Sequence, residues 1–122
     1  MKLISIRIYG VPYPQDKVSG AIAKAKEWSD KVENETKRFR KIKKPCHLKC
    51  IFFLYKDKFP KDYPFGTDLD NLLKRFLDAL NKTVFNNGVG KDSCAVRITT
   101  RKVKISNPAQ SGAKLEISTI DF

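Results

Sequence analysis

Hydrophobic and polar positions change period several times along the chain, and each change marks an element. Ile4, Ile6 and Ile8 alternate with Ser5, Arg7 and Tyr9, the period of two that a half-buried strand requires. "GVPYPQDKVSG" then breaks the pattern with glycine and two prolines and reads as a loop. From about Val18 to Phe39, the apolar positions Val18, Ile22, Ala25, Val32 and Phe39 recur at helical spacing, with Lys and Glu between them. "KKP" ends that helix, and "CHLKCIFFLY" (Cys46–Tyr55) reads as a second strand. Its middle, Ile51–Leu54, is apolar on both faces, which predicts a central position in a sheet.

"KDKFPKDYPFG" is a turn-rich, basic loop. It leads into a helix whose Leu69, Leu72, Leu73, Phe76, Leu77 and Leu80 form one apolar stripe. Asn86–Gly88 is a tight-turn signal. Val96–Ile105 reads as a third strand, "NPAQSG" as a loop and "AKLEISTI" as a fourth strand. The order β-α-β-α-β-β, with no repeat and no linker, predicts a single α+β domain over residues 1–122. Its expected architecture is a mixed four-stranded sheet with two helices packed against it.

Charge sharpens the picture. Lys and Arg number 25 against 13 Asp and Glu, a formal net charge of +12. Such an excess concentrates polyanions, and basic clusters stand in "KRFRKIKK", "YKDKFPK" and "RKVK". Each cluster alone is an ordinary solvated face; three on a short chain point to nucleic acid. An anionic membrane surface is the weaker partner, because no helix pairs a basic face with a broad apolar one. No apolar run approaches the ~18 residues of a membrane span. "MKLISIRIYG" lacks the continuous apolar centre of a signal peptide, so an intracellular, cytoplasmic location is expected, at the nucleoid in use. Three cysteines with no repeated spacing are expected as reduced thiols. A zinc site at Cys46, His47 and Cys50 is disfavoured, because on a strand His47 points away from both thiols.

The candidate chemistry lies in "GTDLDNLLKRFLDAL" (Gly66–Leu80). As plain helix design, Thr67 is an N-cap with Asp70 three residues on, and Asp68 sits favourably at the positive end of the helix dipole. Asp70, Lys74 and Asp78 then form an alternating i, i+4, i+8 run of ion pairs worth ~0.3–0.5 kcal/mol each. Three features weigh against that reading. Asn71 crowds a third oxygen-bearing side chain into the same turn. The approach through Lys56, Lys58, Phe59, Lys61, Tyr63 and Phe65 is basic and aromatic, as a phosphate-tracking rim is. A further acid, Asp92, stands just before the third strand. Clustered carboxylates repel DNA unless they hold a cation, and Mg²⁺ takes one or two carboxylates plus water and phosphate.

"DLDNLLKRFLDAL" resembles the signature of the RusA family of Holliday-junction resolvases, a D-x-D-N-L-x-K helix ending in D-A-L. The likeness in element order and spacing runs over nearly the whole chain, to the closing "GAKLEISTI". It implies a Mg²⁺-dependent endodeoxyribonuclease, with Mn²⁺ as a substitute, that resolves four-way DNA junctions as a homodimer in recombination and repair. Under the resemblance Asp68, Asp70 and Asp92 are the metal ligands and Lys74 the essential lysine. Asn71 and Asp78 are supporting residues. Lys56, Lys58, Lys61, Lys91 and Arg101 are the expected DNA contacts. The chain departs from the pattern at "KDSC", where Lys91 replaces the first of two adjacent acids, and in its longer "NKTVFNNGVG" loop. It also lacks arginines directly before the helix motif. Those departures keep a second reading open, a DNA-binding module of the same fold without catalysis. A basic RNA-binding protein is a third reading, disfavoured because the chain has no RRM-type aromatic strand signature.

Overall fold

In the computed structural model, which describes residues 1–14, 22–56, 67–88 and 90–121, the elements follow the expected order. They are β1 (Lys2–Tyr9), α1 (Ile22–Thr36), β2 (Cys46–Tyr55), α2 (Leu69–Leu80), β3 (Ala95–Ile105) and β4 (Gly112–Thr119). The sheet runs β1-β4-β2-β3. β4 is antiparallel to both β1 and β2, whereas β3 is parallel to β2, so the sheet is mixed and the protein is α+β. β2 is an interior strand, as its apolar middle predicted. Among the described residues no helix is long and apolar enough to cross a membrane.

Both helices pack on one face of the sheet. Along β2, Cys46, Leu48, Cys50, Phe52 and Leu54 are buried, and the residues between them are exposed or half-buried. Ile4 and Ile8 of β1 and Ala113, Leu115 and Ile117 of β4 complete that face. The helices contribute Trp28 and Val32 from α1, and Leu72, Phe76, Ala79 and Leu80 from α2. At the centre, the Phe76 ring meets Phe52 edge-on at 5.6 Å and Trp28 at 6.4 Å. Such aromatic pairs add about 0.5–1.5 kcal/mol beyond area burial. Arg75 ties α2 to α1 and to the loop after β1: its Nε donates to the Pro14 carbonyl at 2.9 Å and its guanidinium to Ser29 Oγ at 3.2 Å.

Three local outcomes differ from the sequence pattern. The first helix ends at Thr36, not Phe39: the Phe39 amide donates to the Thr36 carbonyl at 3.2 Å in a tighter turn, and Thr36 Oγ1 pairs with Thr83 Oγ1 at 2.8 Å. Phe39 packs against the core from beyond the helix, and Val18 lies outside the described residues. The segment 81–88 is no simple turn, since Val84 and Phe85 are fully buried and the Ile42 amide donates to the Val84 carbonyl at 2.8 Å. β4 starts at Gly112, one residue before the expected strand, where φ is +149° and a Cβ would lie 1.9 Å from the Ile8 carbonyl oxygen.

The opposite face of the sheet carries no helix among the described residues. Register places Ser5, Arg7 and Tyr9 of β1 beside Glu116, Lys114 and Gly112 of β4. Lys49, Ile51 and Phe53 of β2 follow, and then Thr99, Arg101 and Val103 of β3. The Arg7 guanidinium carbon lies 3.7 Å from the Phe53 ring centre and 5.0 Å from that of Tyr9.

Candidate functional site

α2 begins one residue later than the sequence pattern implied, and its N-cap is Asp68, not Thr67. The reason lies in who takes the carbonyls. Asp68 O accepts the first helical bond from the Leu72 amide at 3.1 Å, whereas Thr67 O accepts from Lys102 Nζ at 2.8 Å. The Asp68 side chain makes no capping bond. Asp70, in the first turn, is exposed. Among the described residues neither carboxylate enters an ion pair, and neither does Lys74 or Asp78. The capping box and the ladder of ion pairs are therefore absent, and what remains of the structural account is the helix dipole, which favours acids at this end. Asn71 is half-buried and forms no hydrogen bond to either aspartate among the described residues.

Asp92 is elsewhere. It lies in a 3₁₀ turn, Lys91–Cys94, that opens β3. Its carboxylate accepts from Asn81 Nδ2 at 3.0 Å, and its backbone amide donates to Asn81 Oδ1 at 3.0 Å. Asn81 is the C-cap of α2. With a rise of about 1.5 Å per residue, the helix puts Asn81 roughly 16 Å from Asp70. Within a single chain, Asp92 therefore lies apart from Asp68 and Asp70, at the other end of α2. No group of three metal-ligating side chains gathers among the described residues. The cause is topological: a helix joining two parallel neighbours must run back along the sheet, so its start and the start of the next strand fall at opposite ends.

The donor set that remains fits a hard cation minimally. Asp68 and Asp70 offer two carboxylates free of hydrogen bonds among the described residues, the protein share Mg²⁺ commonly takes. Lys74 follows Asp70 by one turn, on the same exposed side. Lys102 brings an ammonium group to the carbonyl beside Asp68. Among the expected DNA contacts, Lys56, Lys91 and Arg101 are exposed, and Lys58 and Lys61 lie outside the described residues. Arg101 projects from the helix-free face, next to Ile51.

Sequence reasoning missed Asn81, Asn87 and Lys102. Asn87 is nearly buried and clamps the turn before Asp92: its Oδ1 accepts from the Lys91 amide at 3.1 Å. Its Nδ2 donates to the carbonyls of Ile42 (2.8 Å) and Lys91 (3.2 Å). An asparagine in an "NNG" turn signal gave the position; its partners, distant in sequence, were not readable. Lys91 itself has φ +56°, a left-handed conformation. For Lys102, the alternation of β3 was the usable signal, since it puts Lys102 on the helix side, opposite Arg101.

Cys46 and Cys50 are buried, Cys94 is half-buried, and all are free. Burial pushes the Cys46 thiol up to about 11, with Cys94 adding to the effect, and burial raises Cys50 as well. His47 stands on the opposite face, as expected, with Nε2 2.8 Å from Thr99 Oγ1. Its pKa is lowered, by partial desolvation first and then by Arg97 and Lys49. Comparison with protein-family models and with curated proteins returned no match.

Proposed function

We propose that this protein is a Mg²⁺-dependent endodeoxyribonuclease acting on branched DNA, four-way junctions in particular, as a homodimer in the cytoplasm at the nucleoid. The observation that carries the reading is the state of Asp68 and Asp70. Two carboxylates, one residue apart at a helix start, are engaged by no cap and no ion pair among the described residues. In a chain of net charge +12 they would otherwise oppose the partner the remaining surface attracts. The resemblance of "DLDNLLK" to the resolvase signature supplies the substrate class.

Asp68 and Asp70 would hold the cation, which supplies Lewis-acid polarisation of a phosphoryl oxygen and a water of lowered pKa. Lys74 offers its ammonium to charge developing on the phosphate, a term that grows as water is excluded. Lys102 anchors the N-terminal turn through Thr67 and so orients both aspartates. Lys56, Lys91 and Arg101 add charge for the DNA backbone. Two-fold symmetry of the paired nicks would require two copies of the chain.

The test is a labelled synthetic four-way junction incubated with the protein and its Asp70→Asn variant, with Mg²⁺ and with EDTA. Paired nicks that need both Mg²⁺ and Asp70 are expected. Binding by both proteins with no cutting in Mg²⁺ or Mn²⁺ sinks the enzyme reading. It would leave the second reading, a DNA-binding module, which one observation favours: Asp92 is held by Asn81, far along α2 from the other acids.

A further inference from the structure

The helix-free face of the sheet has a composition that neither the candidate metal site nor core packing explains. Lys2, Arg7, Lys49, Arg97, Arg101 and Lys114 all project from it, and Glu116 is its one acid among the described residues. Glu116 sits 3.5 Å from both Lys2 and Lys114 and neutralises only part of that excess. Between the cations lie Ile51, Phe53, Tyr55 and Val103, all half-buried, and Tyr9, which is 50% exposed.

Charge decides what can cover such a face. Two copies packed face to face would bring twelve cations against two carboxylates, and burying unpaired charge costs several kcal/mol per ion. A neutral or basic protein faces the same cost. An anionic partner does not, and the apolar strips between the cations suit flat rings. The Arg7 guanidinium already lies against Phe53, with half of Tyr9 still open beside it. Phosphates that track a basic surface while bases lie on exposed rings are how single strands are bound without sequence preference. Duplex DNA keeps its bases stacked inside and has no use for the aromatic strip.

We propose that this face binds a single-stranded polynucleotide, its phosphates on the lysines and arginines and a base on Tyr9. The inference shares a polyanionic partner and Arg101 with the nuclease reading but otherwise rests on different residues, on the side of the sheet away from α2.

The chain has a single histidine, His47, on this face near the start of β2 and paired with Arg97, so its imidazole is an unambiguous probe. Binding of a labelled 20-nucleotide single strand, as DNA and as RNA, is measured by anisotropy in EDTA across a salt series. The wild type is compared with a Lys49→Glu/Arg97→Glu double variant whose fold is checked by circular dichroism. The expected result is at least tenfold weaker binding by the variant and a log–log salt slope shallower by about 1.4, the share of two lost phosphate contacts. In the wild type, saturating oligonucleotide is expected to raise the His47 pKa, because bound phosphate cancels the field of Arg97 and Lys49. Preference of DNA over RNA, or the reverse, identifies the source and supports the proposal either way.

Unchanged affinity and slope in the variant overturn the proposal. So do a His47 titration indifferent to the oligonucleotide, tighter binding of a duplex of equal length, and tighter binding of anionic vesicles. A protein that cuts no junction yet binds the strand through these residues removes the nuclease reading and leaves this one. A protein that cuts junctions while the double variant binds the strand unchanged does the reverse.

Discussion

Asn81 and Asp92 hold each other by two hydrogen bonds, amide to carboxylate and backbone amide to side-chain carbonyl, both 3.0 Å long. The pair fastens the end of α2 to the start of β3, and it occupies the carboxylate that the resolvase motif assigns to metal. Asn81→Ala leaves the Asp92 carboxylate and amide without these partners. A loss of about 1–3 kcal/mol is expected from urea unfolding, and an unchanged midpoint would mean that water replaces the pair at no cost.

The same geometry separates the acids by function. If the nuclease reading holds, Asp70→Asn abolishes Mg²⁺-dependent cutting, whereas Asp92→Asn retains most of it and chiefly lowers stability. Equal loss of cutting in both variants would show that Asp92 reaches the reacting phosphate after all, in an assembly that a single chain does not form.

Gly112 tests the join between β1 and β4. At its φ of +149°, a side chain would have to start 1.9 Å from the Ile8 carbonyl oxygen, which leaves no room for one. Gly112→Ala is expected to destabilise by well more than the ~1 kcal/mol that a stiffer unfolded chain would return, read as a large fall in the denaturant midpoint. By contrast, Lys91→Asn relieves a left-handed lysine with a residue that tolerates φ > 0. It is expected to raise stability by about 0.5–1 kcal/mol.

His47 gives a pH dependence of known sign. Its folded pKa is lowered, by desolvation first and then by Arg97 and Lys49. The unfolded chain therefore binds the proton more readily. The stability associated with neutral His47 is fully present above about pH 6.5, the ordinary imidazole value, and declines as pH falls toward the folded pKa. His47→Gln removes that decline, and unfolding midpoints between pH 5 and 7.5 check it.

How much of this was legible follows from which signals are local. The ends of β2 coincide with those of the strand segment Cys46–Tyr55, and the stripe of α2 buries Leu72, Phe76 and Leu80 as its spacing required. Trp28, almost fully buried at the centre of the helix layer, did not enter the predicted stripe of α1. The cap passed from Thr67 to Asp68 because Lys102, 35 residues away, takes the Thr67 carbonyl. Strand direction was the larger gap. A period of two looks the same in parallel and antiparallel strands, and only the parallel pairing of β2 with β3 sends Asp92 to the far end of the helix.

That pairing makes α2 a spacer. The interval between the Asp68–Asp70 pair and Asp92 is set by the number of helical turns, not by a pliable loop, and both of its ends are tied down, one by Lys102 and the other by Asn81. One inserted turn would widen it by about 5.4 Å, so the protein carries a fixed interval between two acidic positions that tracks the length of one helix.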